Sequence, residues 1–214
     1  GAVNGLLITR MGVPAFLVTL GMMGIVKGLA MWITNTIAIP VMVDNYNIIF
    51  GLGALFGLPI LLLWTVATLV VGLFVMQMTG FGKKVLAVGG NEVAARYSGI
   101  NVKNVKVIAM IMSGSSAAFA GILYAGRMQA GRFTFGEGDE LTVIAAVILG
   151  GTGLFGGTAN VFGAVVGSLL IGMINNGLII EGLTVSQQMM VRGAIVILAT
   201  ALGTRGRFFG RASE

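Results

Sequence analysis

Residues 60–79, ILLLWTVATLVVGLFVMQMT, are an apolar run of 20 residues without a single charge. That is the length an α-helix needs to cross the hydrocarbon core of a bilayer. A chain built around it is expected to fold in lipid, where each backbone N–H and C=O must find its partner inside the protein, so helices are the natural spanning element. Residues 14–33, 107–126 and 160–180 are further runs of the same kind, and residues 185–203 form a shorter one interrupted by Arg192. Pro14 opens the first of these, with Lys27 as its only charge. The expectation is an all-α integral membrane protein.

Composition sets what such a protein can do. Only 9% of residues are charged and 57% are hydrophobic, far from the balance of soluble domains. The 35 glycines are the usage expected where membrane helices pack backbone to backbone. With neither cysteine nor histidine there is no disulfide framework, thiol nucleophile, imidazole base or histidine–thiolate metal site, and no metal or cofactor is expected. A net charge of +6 suggests nucleic acid in a soluble chain. In a membrane protein the cytoplasmic excess of Lys and Arg accounts for it, and no nucleic-acid partner is expected. The chain starts at Gly1 and carries no secretory signal pattern, so it reads as part of a longer protein.

Between two apolar runs lies a polar island, residues 82–106, GKKVLAVGGNEVAARYSGINVKNVK, which holds five of the 13 basic residues. Within it NEVAARYSG predicts a short capped helix: Asn91 as N-cap, Glu92 at the positive helix start, and Gly99 as the left-handed stop. Two readings are open from residue types alone. The helix rests on lipid headgroups, or a partner docks on it.

Charge then orients the spans. The island is basic, and so is the tail TRGRFFGRASE with Arg205, Arg207 and Arg211, so both are expected in the cytoplasm. An even number of crossings must separate them. Residues 141–157, LTVIAAVILGGTGLFGG, are short for a span and glycine-rich, yet parity requires them to cross as a short or broken helix. The outer side then collects Asp44, Glu137, Asp139, Glu140 and Glu181, with Trp32, Trp64 and Tyr124 near the outer ends of their spans as an aromatic belt. Six spans result, with the C-terminus inside.

Residues 160–180 show the clearest helical pattern. Asn160, Gly163, Ala164, Gly167, Ser168, Ile171, Gly172 and Asn175 share one small, polar face, and Phe162, Val166, Leu169, Leu170 and Met173 lie opposite. Gly163, Gly167, Ser168 and Gly172 are the expected helix-packing residues. Asn175 and the adjacent Asn176, with Thr19 of the PAFLVTLG run, are the candidates to line a pathway, because neutral amides and hydroxyls replace a solute's hydrogen bonds without holding it tightly. Packing against a neighbouring helix is the other reading of Asn175. The glycine-rich stretch 150–157 lacks the Lys-Ser/Thr of a nucleotide-binding turn, so any ATP must be hydrolysed by another chain.

At the island a resemblance becomes specific. AVGGNEVAARYSGINVKNVK, following TGFGKK, is similar to the cytoplasmic loop of the monosaccharide (ribose-type) permeases of bacterial ABC importers. GVPAFLVTLGMMGIVKGLA at 12–30, ELTVIAAVILGGTGLFGG at 140–157 and GAVVGSLLIGMINNGLII at 163–180 match in the family's order, covering nearly the whole chain. Residues 1–214 would be a single transmembrane permease domain. GAVNGLLITR resembles the end of a fourth helix, so the spans would be helices five to ten of a ten-helix type II fold, lacking roughly the first four.

The resemblance implies an inner-membrane permease subunit paired with a second, identical or different, permease. A periplasmic binding protein would deliver the sugar, and an ATPase subunit, often two fused nucleotide-binding domains, would dock on the island. That docking surface would comprise Gly89, Gly90, Asn91, Glu92, Ala94, Ala95, Arg96, Tyr97, Ser98 and Gly99. A branched-chain amino-acid ABC permease is a related alternative, which the GGNEVAARYSGI stretch disfavours. A secondary carrier would need an intramembrane carboxylate, and all seven acidic residues fall in loops or the tail. An intramembrane enzyme would need a His, Cys or buried carboxylate constellation, which this sequence lacks.

Overall fold

The computed structural model describes residues 1–154, 156–184, 186–191, 193–195 and 197. Of the expected span 185–203, residues 185, 192 (the arginine), 196 and 198–203 lie outside the described residues, as does the basic tail with Arg205, Arg207 and Arg211. Helices dominate: α1 (Ala2–Arg10), α2 (Ala15–Thr34), α3 (Asp44–Asn47), α4 (Ile60–Leu73), α5 (Gly80–Gly90), α6 (Glu92–Tyr97), α7 (Val102–Met128), α8 (Asp139–Leu149) and α9 (Val161–Ile180). π-helical turns extend α3 through Ile48–Leu52 and α4 through Phe74–Met78. Among the described residues four helices are long and apolar enough to cross a membrane: Ala15–Thr34, Ile60–Met78, Val102–Met128 and Val161–Ile180. They coincide with the four long apolar runs to within a few residues.

The surface is that of a protein solvated by lipid. Among the described residues the buried hydrophobic side chains are few and all alanine, valine or isoleucine, such as Ala145, Ala146 and Ile171, while Phe16, Trp32, Phe74 and Met173 stand exposed. In water this distribution would be ruinous. In a bilayer burying apolar area gains nothing over leaving it in acyl chains, and close backbone packing decides which helices meet.

The chain divides into two compact units, Gly1–Thr68 with Arg96–Phe135, and Leu69–Ala95 with Gly136–Glu214. In the first, α1 lies on α7. A methyl group on Gly5 would sit 3.0 Å from the Val107 Cα, and one on Gly114 would sit 3.0 Å from Gly1, so glycine at these places allows the approach. The π turn after α3 seats against the end of α7 in the same way, with Gly51 directly on Gly126. The strand pair β1 (Ile39–Pro40) and β4 (Ala130–Gly131) runs antiparallel beside it, and the hairpin of β2 (Ala54–Leu55) and β3 (Leu58–Pro59) precedes α4.

An aromatic cluster holds this end of the first unit. The Trp64 ring stacks on Phe50 (centroids 5.8 Å) and meets Phe119 edge-on (5.2 Å), while its Nε1–H donates to the Ile49 carbonyl at 2.9 Å. Trp64 is therefore bound to protein rather than free to anchor at headgroups as its position in the sequence suggests. Trp32, 77% exposed, remains suited to that role.

The second unit is built on an antiparallel helix pair. α8 and α9 meet where Gly150 lies on Gly163 and Ala146 on Gly167, with Ala145, Ala146 and Ile171 as a small core that Ile195 covers. α8 has 11 residues, about 16 Å of helix, roughly half a bilayer core. Beyond it the chain continues through turns to Gly157, where Gly151, Gly156 and Gly157 adopt positive φ (86°, 86° and 83°). The expectation of a short or broken helix in 141–157 has this form.

Candidate functional site

The polar island folds as two helices joined by one residue. Thr79 opens α5, its side-chain oxygen accepting from the Gly82 N–H at 3.4 Å. A helix here was not expected from the sequence, because GFGKKVLAVGG combines four glycines with a lysine pair; a short amphipathic rhythm is its only signal. α5 stops at Asn91, whose N–H donates to the Ala87 carbonyl at 3.1 Å. The same residue starts α6: its Oδ1 accepts from the Ala94 N–H at 3.0 Å and its carbonyl from the Ala95 N–H at 3.0 Å. Asn91 is thus the N-cap, as its residue type suggests.

α6 is only six residues long, too short to persist alone. Its ends supply what its length does not. Glu92 lies in the first turn and Arg96 in the last, each complementing the helix dipole. Gly99 follows with φ 80°, and its N–H donates to the Arg96 carbonyl at 3.0 Å. In a helix successive side chains turn by about 100°, so residues four apart share a face and residues two apart oppose each other. Val93 and Tyr97, 63% and 89% exposed, form the outward face. Ala95, opposite, is 4% exposed.

This sorts the ten residues read from the sequence as a docking surface. Gly89, Gly90, Asn91, Ala94, Arg96, Ser98 and Gly99 are exposed along with Val93 and Tyr97, and Glu92 is half-buried. Ala95 is a correction, because its methyl group is turned into the protein and cannot meet a partner's surface. Val93, left out of that set, is exposed on the same face as Tyr97. The i, i+4 spacing of Val93 and Tyr97 was the signal that could have found it. The polar end of the island, Val102 to Lys106, is also the first turn of α7, with Asn101 as N-cap accepting from the Asn104 N–H at 3.1 Å.

The second set of candidates lies on α9 and α2. Asn160 caps α9, its Oδ1 accepting from the Gly163 N–H at 2.9 Å. Gly163 and Gly167 seat on α8, and Gly167 is buried. Ser168 instead donates to its own helix, at the Val165 carbonyl 2.8 Å away, and a methyl group on Gly172 would meet nothing among the described residues within 4 Å. Contact with α8 therefore runs through Gly163, Gly167 and the buried Ile171 of the small face. Further along the helix Asn175 is half-buried and Asn176 exposed. In the other unit Thr19 is half-buried on α2, its hydroxyl donating to the Phe16 carbonyl at 3.1 Å. Among the described residues no group of three or more His, Cys, Asp or Glu side chains is placed to hold a metal ion.

Residues 1–200 match the protein family described as branched-chain amino acid transport system / permease component. The chain is 40% identical over 188 residues to a probable ABC transporter permease protein, YphD, of Escherichia coli K12, covering 87% of this chain and 56% of that protein. It is 38% identical over 200 residues to the ribose import permease protein RbsC of Bacillus subtilis, covering 93% of this chain and 62% of that protein. It is 38% identical over 199 residues to the L-arabinose transport system permease protein AraH of Escherichia coli K12, covering 92% and 60%. The chain thus spans 56 to 62% of the length of these curated relatives. No solved structure matches it.

Proposed function

The chain belongs to the branched-chain amino acid transport system / permease component family, and from that premise we propose that it forms most of a membrane-spanning permease subunit of an ATP-driven sugar importer. The observation that carries this reading is α6: a capped helix on a polar segment between two spans, presenting Val93 and Tyr97 outward. A free helix of six residues has no stability of its own, and an exposed tyrosine beside an exposed valine suits a partner's groove better than water.

In this reading an ATPase subunit receives α6 on the cytoplasmic side. ATP binding and hydrolysis there move the helix, and the attached spans tilt to open the pathway alternately to each side. The remaining exposed residues from Gly89 to Gly99 frame the contact. A second permease subunit completes the pathway, a periplasmic binding protein delivers the substrate from outside, and the C-terminus lies in the cytoplasm of a multi-pass inner-membrane protein.

The substrate class is a monosaccharide. Similar permeases include ones named for ribose import and for L-arabinose transport, which favours sugars over the branched-chain amino acids of the family's description. Asn175, Asn176 and Thr19 are the pathway candidates: a sugar leaving water requires replacement hydrogen bonds, and neutral groups supply weak ones that release it again. The reading is tested in proteoliposomes holding the full-length subunit with the ATPase and binding protein encoded beside it. ATP-dependent uptake of ribose or arabinose is the expected result. Uptake of leucine with no uptake of either sugar would replace this reading with the amino-acid one.

A further inference from the structure

The far end of α5 is in backbone contact with the turn that joins α8 to α9. A methyl group added to Gly89 would lie 3.0 Å from the Gly157 nitrogen and 3.4 Å from the Gly156 Cα. One added to Gly156 would lie 2.9 Å from the Gly89 Cα and run into the Gly89 carbonyl. Gly90 approaches the same turn, its added methyl 3.8 Å from the Gly157 Cα. Among the described residues the contact is backbone on backbone, which no rotamer change can relieve.

Each side of this contact is tied to something larger. On one side Asn91 is the single residue between α5 and α6, and its three hydrogen bonds leave no slack linker between the exposed helix and Gly89. On the other side the turn is stitched to both of its helices. The Thr152 N–H donates to the Val147 carbonyl (3.1 Å), the Gly153 N–H to the Thr158 carbonyl (3.1 Å), and the Asn160 N–H to the Thr152 hydroxyl (3.1 Å). Asn160 in turn caps α9, and α9 seats on α8 through Gly163 and Gly167. α8, the turn and α9 therefore form one body, touched by α5 at Gly89.

We infer that the Gly89–Gly156 contact is the point at which movement of α6 is handed to the α8–α9 pair. This rests on the reading of α6 as the ATPase-docking helix and adds how its motion reaches the membrane. Gly89 and Gly156 are positioning residues. They touch no substrate, and they act by fixing where the α8–α9 pair stands for each position of α6. Glycine is required at both because only bare backbone comes this close; at Gly156 the positive φ of 86° requires it again.

Substitution at Gly89 separates this role from simple packing. Gly89 sits in a helix without positive φ, where alanine is intrinsically the better residue, so a defect in Gly89→Ala arises from the contact and not from the helix. Gly80→Ala, on the same helix with nothing within 4 Å, is the matched control. The assay measures ribose or arabinose taken up per ATP hydrolysed by the complete complex in proteoliposomes, with thermal stability in detergent alongside. The expected result for Gly89→Val is at least a tenfold fall in sugar moved per ATP, with ATPase rate and stability within twofold and a few degrees of the parent. Gly89→Ala is expected between the two, and Gly80→Ala is expected to match the parent. An unchanged ratio in Gly89→Val overturns the inference, as does a parallel loss of stability, ATPase rate and uptake in both Gly89 variants. A parent subunit that recruits no ATPase overturns the docking reading itself, a failure visible before any variant is made.

Discussion

Gly150 and Gly163 lie backbone to backbone, so close that a methyl group on either would overlap the other's main chain. The pair fixes the register of α8 against α9, and Ala146 with Gly167 repeats it one turn further along each helix. In lipid such an approach substitutes for the apolar core of a soluble protein, because dispersion between tightly fitted backbones is available only where side chains are absent.

Gly163→Val is therefore expected to destabilise the permease by about 1–3 kcal/mol through overpacking. Gly172→Ala, on the same face but with nothing within 4 Å, is expected to leave stability unchanged. Thermal denaturation in detergent, followed by size-exclusion chromatography, checks both. Equal losses in the two variants would mean that Gly172 carries the helix pairing as much as Gly163 does.

Tyr97 presents 89% of its surface and shares its face with Val93. Tyr97→Ala is expected to weaken association with the ATPase by roughly 30-fold, about 2 kcal/mol, as removal of a central aromatic anchor does. Membrane insertion and thermal stability should be unaffected. Ala95→Asp should behave in the opposite way, lowering yield and stability, because the charge would enter the protein's own interior. Co-purification with the ATPase, read beside the yield of folded subunit, distinguishes them.

Asn91 ends one helix and begins the next, so Asn91→Ala removes a cap whose loss costs about 1 kcal/mol. Asp or Ser at this position should retain most of it. Hydrogen exchange of the amides of residues 92–97 is the direct measurement, with faster exchange expected in the alanine variant alone.

Orientation can be tested with single cysteines at exposed positions. Lys103→Cys and Ala159→Cys are expected to react with an impermeant reagent from the cytoplasm, and Thr134→Cys from outside. Ala159 follows the turn that touches Gly89, so it should share that segment's side of the membrane. Labelling of Ala159→Cys from outside would make residues 139–157 re-entrant.

Asn175→Leu separates a pathway from a packing role. Lost sugar flux at near-normal thermal stability supports the pathway, and a loss of stability with poor assembly supports packing. Normal flux with normal stability rules out both.

What the sequence alone determined is whatever depends on a residue and its near neighbours. Twenty apolar residues without charge commit 60–79 to a helix that crosses a bilayer, because hydrocarbon leaves the backbone no partner but itself. Asn91 and Gly99 mark the ends of α6 because capping joins groups only three or four residues apart. The tertiary structure decided which of several equivalent small residues is used. Gly163 and Gly172 are indistinguishable in a helical pattern, yet one rests on Gly150 and the other on nothing among the described residues. Ala95 reads as one more residue of an exposed helix until the fold turns its methyl group inward. Gly89 meets Gly156 across 66 intervening positions through the pairing of α8 with α9. A glycine leaves no apolar rhythm in the sequence to show which backbone will come to lie against it.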